Sequence, residues 1–429
     1  MIFTDFKPPS SPTLSEQRDA LQKGLGRTVQ WANASLLDEA LLLEACLHDQ
    51  RYDPQFEDTR AGWLWQLIRQ IEAKDHFREP ILYALQNETD GWNASQLCEF
   101  AFYYAEAGDE TFRNTIYHFV EQKPFEENVS LGEKEIIRLD GEQGFLFAAR
   151  VRGERLETTE WDWDDEYFVS NAMEQCGKEQ ITRLFQMTTH TNIKRFHEHW
   201  NKCQKEQSSC KNKGSFIERM HAFSADNIIE AAQNNDDNFS FSGWGRQADT
   251  ASLNKILETV WQTTELSVLR NLIRVFFKQT LPKFDCRLID LCQHPDEKLQ
   301  RRSFSVLANH SHPAVREFAL EQLAIEATDN IVSLFINNYE VGDEIRLLKA
   351  IELPEDPDNI HSLLSDVMKV LEYNTEADAT RLAHIAYAAT PCELCRYKAA
   401  NLLHGQGVAP AWMLEECGYD SYEETRKLA

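Results

Sequence analysis

A five-residue pattern recurs in the second half of the chain and constrains the fold more than any other feature. An apolar residue is followed by an arginine, a small residue lies four positions after the first, and a leucine follows four positions later. The clearest copies are residues 315–319 (VREFA) with Leu323 and residues 395–399 (CRYKA) with Leu403. Residues four apart lie on one face of an α-helix, so each copy predicts a helix with one buried stripe. A proline precedes each copy, Pro313 and Pro391, and indicates where the helix begins.

Looser copies of the pattern extend it on both sides of residue 315. They contain Leu269 with Arg270, Leu299, and Ile345 with Arg346. The spacing between copies is unequal, which a strict array of one unit would not give. We therefore expect some copies to be first helices and others to be second helices of neighbouring pairs.

Helices that start at proline and carry this stripe resemble the second helix of HEAT repeats, which belong to the armadillo-type α-helical repeat superfamily. The resemblance rests on the copies at 315–323 and 395–403. It implies an all-α fold, a right-handed superhelix of stacked antiparallel helix pairs. The alternative is an ordinary helical bundle in which an arginine and an alanine coincide with this spacing.

The composition agrees with a mostly helical protein. Hydrophobic residues make up 42% of the 429 residues, and 24 Phe, 12 Tyr and 10 Trp supply apolar surface, whereas only 17 Gly and 13 Pro are present. No apolar stretch has the length of a membrane span, and the N-terminal residues lack the pattern of a signal peptide. The ten cysteines are scattered and suit reduced thiols. We expect a cytoplasmic protein that does not contact membranes.

The sequence predicts four segments. Residues 1–14 read as an extended arm, 15–200 as an N-terminal helical array, 201–215 as an exposed basic linker or loop, and 216–429 as C-terminal HEAT-like repeats continuous with the first array. The linker is predicted because lysines outnumber acidic residues there and apolar residues are few.

Two local predictions fall within the first array. Residues 35–49 predict a helix with Ser35 as its N-cap, and its apolar stripe would consist of Leu36, Ala40, Leu43 and Leu47. Residues 133–156 fit either two helices broken at Asp140 and Gly141 or a helix followed by a hairpin, and we favour the helices.

The charge of the chain bears on its partners. It has 44 basic and 70 acidic residues, which gives a formal charge of -26. Lys and Arg contacts to phosphates supply much of the affinity for nucleic acid, so DNA or RNA is an unfavourable partner. The acidity favours a basic protein or peptide, or it serves only to keep a large helical surface soluble.

The most distinctive local run combines acidic and aromatic residues at 160–166. Its carboxylates surround Trp161 and Trp163 and include Asp164 and Asp165. Such a run could form an acidic aromatic surface for a basic partner. Alternatively, Asp164 caps a helix whose first turn contains Asp165, and the tryptophans pack inward.

Trp244 and Arg246 provide a second candidate interaction site. They lie in a loop at 233–247 that is rich in Asn, Asp, Ser and Gly. The tryptophan would be either an exposed aromatic handle or the tip of a loop packed on the helices. Both interpretations are open from the sequence.

The spacing of the histidines and cysteines bears on metal and redox sites. His199 and Cys203 would share a helix face but His197 would not, so no metal site is expected there. Cys392 and Cys395 form a Cys-x-x-Cys at a helix start, where a lowered thiol pKa suits redox chemistry. However, Cys395 occupies the stripe position of the repeat pattern, which indicates core packing. We expect no metal and no cofactor.

The function that fits these observations is a non-catalytic scaffold, which would bind a protein or peptide on the concave face of the repeats. The chain has no Gly-rich phosphate loop, no Gly-x-Ser-x-Gly and no His-Glu-x-x-His. HEAT-like folds suggest two alternatives, a DNA glycosylase that acts on alkylated bases and a protein similar to the phycobilin lyases. The sequence gives no prediction of the oligomeric state.

Overall fold

The computed structural model describes residues 7–71, 74–122, 131–158, 165–211, 220–235 and 239–429. Helices are the only regular secondary structure in these ranges, which confirms the all-α class. None of the helices in the described ranges has the length and apolarity that crossing a membrane requires. The chain divides into two compact units. The first unit contains Lys7–Cys210 and Trp412–Ala429, and the second unit contains Lys211–Ala411.

The first unit is built from short, closely spaced helices. Its helices are α1 Leu14–Lys23, α2 Arg27–Asn33, α3 Glu39–Leu47, α4 Ala61–Gln70, a 3₁₀ turn Lys74–Phe77, α5 Arg78–Asn87, α6 Gly91–Glu106, α7 Glu110–Gln122, α8 Glu133–Asp140, α9 Glu142–Arg155, α10 Asp165–Cys176, α11 Lys178–Met187 and α12 Thr191–Lys211. One hydrophobic cluster joins them from Leu21 to Phe196. Its largest members include the fully buried Phe100, Phe112 and Phe145.

The second unit has the same character. Its helices are α13 Ala225–Gln233, α14 Phe241–Gly245, α15 Thr250–Gln262, α16 Leu266–Leu272, a 3₁₀ turn Ile273–Phe276, α17 Arg287–Cys292, α18 Glu297–Leu307, α19 Pro313–Leu323, α20 Asp329–Ser333, α21 Asp343–Ala350, α22 Pro357–Tyr373, α23 Thr380–Ala389 and α24 Glu393–Gly405. The remaining helices are α25 Ala411–Cys417 and α26 Glu423–Arg426.

The stripes predicted from the recurring pattern are buried. Ala319 and Ala399 have no exposed surface, and the other stripe positions are at most 7% exposed, namely Val315, Leu323, Cys395 and Leu403. Each alanine leaves room for a neighbouring helix to approach. The recurring pattern thus marks the faces that pack in the second unit.

Arginine–aspartate pairs recur along both units. In each, the aspartate lies 26–31 residues further along the chain. Asp109, Asp296 and Asp343 also accept a backbone N–H near the start of a helix or in a turn, whereas Asp140 accepts the Tyr117 hydroxyl. The pairs are Arg78–Asp109, Arg113–Asp140, Arg270–Asp296 and Arg316–Asp343. An aspartate in this role stabilises the helix start and joins it to an earlier helix.

Helix α3 differs from its prediction in both its start and its buried face. The Asp38 carboxylate caps it by accepting the N–H groups of the second and third helical residues, and Ser35 lies outside it with a φ of 56°. Residues 40–43 are all apolar, so the sequence does not show which face of the helix is buried. The residues that are buried are Leu41, Leu42, Ala45 and Cys46.

The segment at 133–156 forms two helices, as expected. They meet at Gly141, whose φ of 55° is in the left-handed region that favours glycine. Gly144 then allows α9 to approach α8, because a Cβ there would meet the carbonyl oxygen of Ile136. The hairpin alternative is excluded for this segment.

The predicted linker at 201–215 differs from the structure in its first part. Helix α12 continues to Lys211, and residues 212–215 lie outside the described residues. No proline or glycine interrupts the sequence between Asn201 and Lys211. Lys, Glu and Gln are good helix formers, so low apolar content did not end the helix.

The C-terminal segment Trp412–Ala429 packs in the first unit, although the sequence places it in the second array. The Trp63 indole N–H donates to the Tyr419 carbonyl oxygen at 2.9 Å. Arg27 and Glu416 form an ion pair at 3.0 Å. Gly26 allows this close packing, since a Cβ there would meet the carbonyl oxygen of Glu416.

Candidate interaction surface

The acidic aromatic run is only partly described by the structure. Trp161, Trp163 and Asp164 lie outside the described residues. Asp165 begins α10 and is 6% exposed. Its carboxylate accepts a hydrogen bond from the Arg152 guanidinium at 2.6 Å. This carboxylate is therefore part of an internal ion pair.

Arg152 joins three consecutive helices through its two carboxylate partners. Its guanidinium lies 2.7 Å from the carboxylate of Glu133 on α8 and 4.5 Å from the ring centroid of Phe168 on α10. All three ionic side chains are buried. Because a buried charge without its partner is costly, this network holds α8, α9 and α10 in one arrangement.

Trp244 is packed inside the second unit. It is 3% exposed, and its indole N–H donates to the Phe223 carbonyl oxygen at 2.9 Å. The next residue, Gly245, has no room for a side chain against the carbonyl oxygen of Val275. The interpretation of Trp244 as an exposed aromatic handle is therefore wrong, because the ring fills the core. Arg246 is exposed, and its role in binding stays a prediction.

An open groove lies in the second unit between α19 and α21. A cavity of about 590 Å³ is bounded by the end of α19, the turn after it and the face of α21. Its apolar lining consists of Leu320, Leu323, Ala324, Ile325, Ala327 and Ala350, and its charged lining consists of Glu326, Arg346, Lys349 and Glu352. It is large enough for apolar side chains of a peptide.

A second cavity of about 470 Å³ adjoins the first at the start of α19. Its lining includes His312, Arg316, Glu317 and Glu340. Leu320 lines both cavities, so they form one continuous surface along α19. We call this surface the α19 groove.

The wall of the α19 groove is held by hydrogen bonds. The Arg316 guanidinium donates to the Asn338 carbonyl oxygen and to the Asp343 carboxylate, each at 2.6 Å. The bond to Asp343 raises the pKa of Arg316 above its ordinary value. The Asn338 side chain also accepts the His312 backbone N–H at 2.9 Å. Because these bonds already hold the wall in place, a ligand that binds there loses little affinity to the entropic cost of ordering it.

Large apolar side chains are exposed at the groove and on the helix beside it. Ile325 lines the groove and is 79% exposed, and Ile345 on α21 is 52% exposed. Single exposed apolar residues are common on protein surfaces. Beside a preformed groove they can provide anchor contacts for a partner.

Another cavity, of about 750 Å³, lies in the first unit between α5 and α7. Two of its lining residues are apolar, Leu85 and Phe119. The rest are polar, namely Gln86, Glu88, Glu110, Thr111, Asn114, Thr115, His118 and Gln122.

The residues that could hold a metal form a separate cluster. Sγ of Cys392, Sγ of Cys395 and a ring nitrogen of His361 lie within 4.8 Å of one another. His361 is on α22, two helices before the cysteines, so no spacing rule connects it with their motif. The sequence also did not predict that Ile325 is exposed, because this apolar residue comes two positions after Leu323, the last buried stripe residue of α19.

No protein-family model matches this chain, and neither the curated proteins nor the solved structures contain a match.

Proposed function

We propose that this protein is a binding scaffold whose second unit, a HEAT-like solenoid of stacked helix pairs, binds a peptide segment of a partner protein in the α19 groove. The observation that carries this proposal is the groove itself. It combines apolar and charged lining residues, a hydrogen-bonded wall and the exposed Ile325.

Asparagine side chains between helix layers support the stacking. Asn309 donates to the Phe276 carbonyl oxygen at 3.2 Å, and Asn338 donates to the His310 carbonyl oxygen at 2.8 Å. Asn374 makes a similar bond to Ile336 at 3.2 Å. These bonds join segments 28 to 38 residues apart in the chain, which is what neighbouring helix pairs that share one core would show.

The charges around the groove favour a basic partner. Glu317, Glu326, Glu340 and Glu352 are exposed. Arg316 pairs with Asp343 and Glu340, and Arg346 lies 3.4 Å from Asp343. These five carboxylates therefore outnumber the three cations Arg316, Arg346 and Lys349. Together with the net charge of -26, this pattern would attract a segment that carries Lys or Arg beside an apolar residue. It disfavours a nucleic acid for the same reason.

A photo-crosslinking amino acid placed at Ile325 tests this proposal. Tyr83, which is 70% exposed in the first unit, is the matched control position. We expect one partner to crosslink at position 325 and not at position 83, and the crosslinked segment to contain apolar and basic residues.

A synthetic peptide of that segment should then bind the purified protein directly. We expect Leu320→Glu with Ile325→Glu to weaken its binding at least tenfold, because charges would replace the apolar contacts. Equal crosslinking at both positions, or unchanged peptide affinity in a folded variant, would contradict the proposal.

A further inference from the structure

Cys392 and Cys395 lie at the start of α24, and His361 lies in the first half of α22. Cys392 is the N-cap residue, and Cys395 is in the first turn. Because residues three apart share a face of a helix, both thiols are on one side of this helix end. The side chain of His361 comes to the same place, with Nδ1 at 3.8 Å from Sγ of Cys395.

The 3.8 Å between Nδ1 of His361 and Sγ of Cys395 is close to one edge of a zinc coordination sphere, and all three atoms lie within 4.8 Å of one another. Zinc bonds to sulfur at about 2.3 Å and to nitrogen at about 2.0–2.1 Å in a tetrahedron, which separates two sulfurs by about 3.8 Å and a sulfur from a nitrogen by about 3.6 Å. We propose that Cys392, Cys395 and His361 bind one Zn²⁺. Small side-chain rotations bring the three atoms from their present spacing onto these edges.

Charge balance favours zinc at this position. Cys392 and Cys395 are 5% and 7% exposed, so an isolated ion would be costly there. Two thiolates and a neutral imidazole cancel the charge of Zn²⁺, and the buffer takes up the two thiol protons that the metal displaces.

The backbone around the cluster is ordered by its own hydrogen bonds. The Cys392 N–H donates to Oγ1 of the buried Thr390 at 3.3 Å, which fixes the turn before α24. Residues that orient the ligands are part of a metal site. Core packing alone does not require this arrangement, since Val315 fills the stripe position of Cys395 in the other copy of the pattern and is also buried.

Three protein ligands leave the fourth position of the tetrahedron for water or another small ligand. The metal would join α22 to the start of α24. Because a ligand that binds only the folded state shifts the folding equilibrium, zinc should raise the melting temperature of the protein.

The test uses the full chain, reduced and treated with a chelator. Zn²⁺ is titrated in competition with a zinc-binding dye, and Co²⁺ is added separately because its absorption reports thiolate ligands. We expect one Zn²⁺ per chain, a thiolate-to-cobalt absorption band and a higher melting temperature with zinc.

Cys392→Ser and His361→Ala should each weaken zinc binding at least tenfold, and Cys392→Ser should reduce the thiolate-to-cobalt band. The matched control is Cys286→Ser, which removes an exposed thiol of the same unit. It should leave affinity and spectrum unchanged. Circular dichroism establishes that each variant is folded.

Several results would overturn the proposal. One is a folded, reduced protein that binds neither metal. Another is zinc affinity that persists in Cys392→Ser and His361→Ala but falls in Cys286→Ser. A third is a disulfide between Cys392 and Cys395 whose reduction restores no metal binding, which would make the cluster a redox pair.

Discussion

Nη1 of Arg152 lies 2.6 Å from Oδ1 of Asp165, and both side chains are buried in the first unit. Nη2 of the same arginine lies 2.7 Å from Glu133, so one cation is shared by two carboxylates. Water cannot replace the guanidinium without opening the packing of α8, α9 and α10. The stability of these helices therefore depends on one side chain.

Arg152→Leu should destabilise the protein by about 3–5 kcal/mol, because it removes the guanidinium that the buried carboxylates of Glu133 and Asp165 both bind. Urea denaturation followed by circular dichroism measures the change. The control is Arg150→Ala on the same helix, whose ion pairs with Glu121 and Glu154 are exposed. It should cost less than about 1 kcal/mol. Equal effects of the two substitutions would contradict this role of Arg152.

Ala319→Leu and Ala399→Leu should each destabilise the protein by about 1–3 kcal/mol, because the added carbons have no space at these fully buried positions. Thermal and urea denaturation provide the measurement. Glu321→Leu, on the exposed face of α19, adds a leucine without overpacking and should change stability by about 0.5 kcal/mol or less. Unchanged melting of both alanine variants would show that the stripes do not pack.

Gly26→Ala should destabilise the first unit by about 1–3 kcal/mol, because the new methyl group meets the backbone of Glu416 and displaces the C-terminal segment. Gly91→Ala is the matched control, since no atom lies within 4 Å of its Cβ position. That variant should be neutral or more stable by up to about 1 kcal/mol, because alanine favours the helix. Equal melting of the two variants would refute the close approach.

Glu135 should make stability depend on pH. Burial, and secondarily Glu99, raises the pKa of this carboxyl to about 7 from an ordinary 4.5. Between these two values the unfolded chain loses its proton before the folded chain does. The contribution of this group is therefore fully present below pH 4.5 and is lost as the pH rises to about 7.

Glu135→Gln should remove this dependence, because the amide stays neutral like the protonated acid. We expect little change near pH 4.5 and a stabilisation of at most about 3 kcal/mol above pH 7. Denaturation at several pH values measures it, and Glu106→Gln is the exposed control. A Gln variant that follows the pH profile of the parent would contradict the raised pKa.

Generic duplex DNA should bind weakly or not at all at about 0.15 M salt, because the net charge of -26 opposes phosphate contacts. Titration of a labelled duplex by fluorescence anisotropy tests this. Micromolar affinity with a steep dependence on salt concentration would instead support the nucleic-acid alternatives.

Local periodicity predicted the all-helical class and the packed stripes of α19 and α24. Ala319 and Ala399 were identified as buried because their neighbours four positions away are apolar, and the break at Gly141 followed from its residue type. Where all neighbouring residues are apolar, as around Leu41, periodicity does not predict which face of the helix is buried. Where apolar residues are few, as in the second half of α12, periodicity does not predict that the helix continues.

The functional candidates depended on contacts between distant parts of the chain. From the sequence, Trp244 could be an exposed residue or a core residue, and the hydrogen bond from its N–H to the Phe223 carbonyl belongs to the tertiary structure. The sequence predicts that Cys392 and Cys395 are core thiols, and only the packing of α22 places His361 beside them. A sequence pattern predicts which face of a helix is buried, because apolar residues on that face recur with the period of the helix. Which partner a polar or reactive side chain meets is decided by how separate helices pack, and that is set only in the tertiary structure.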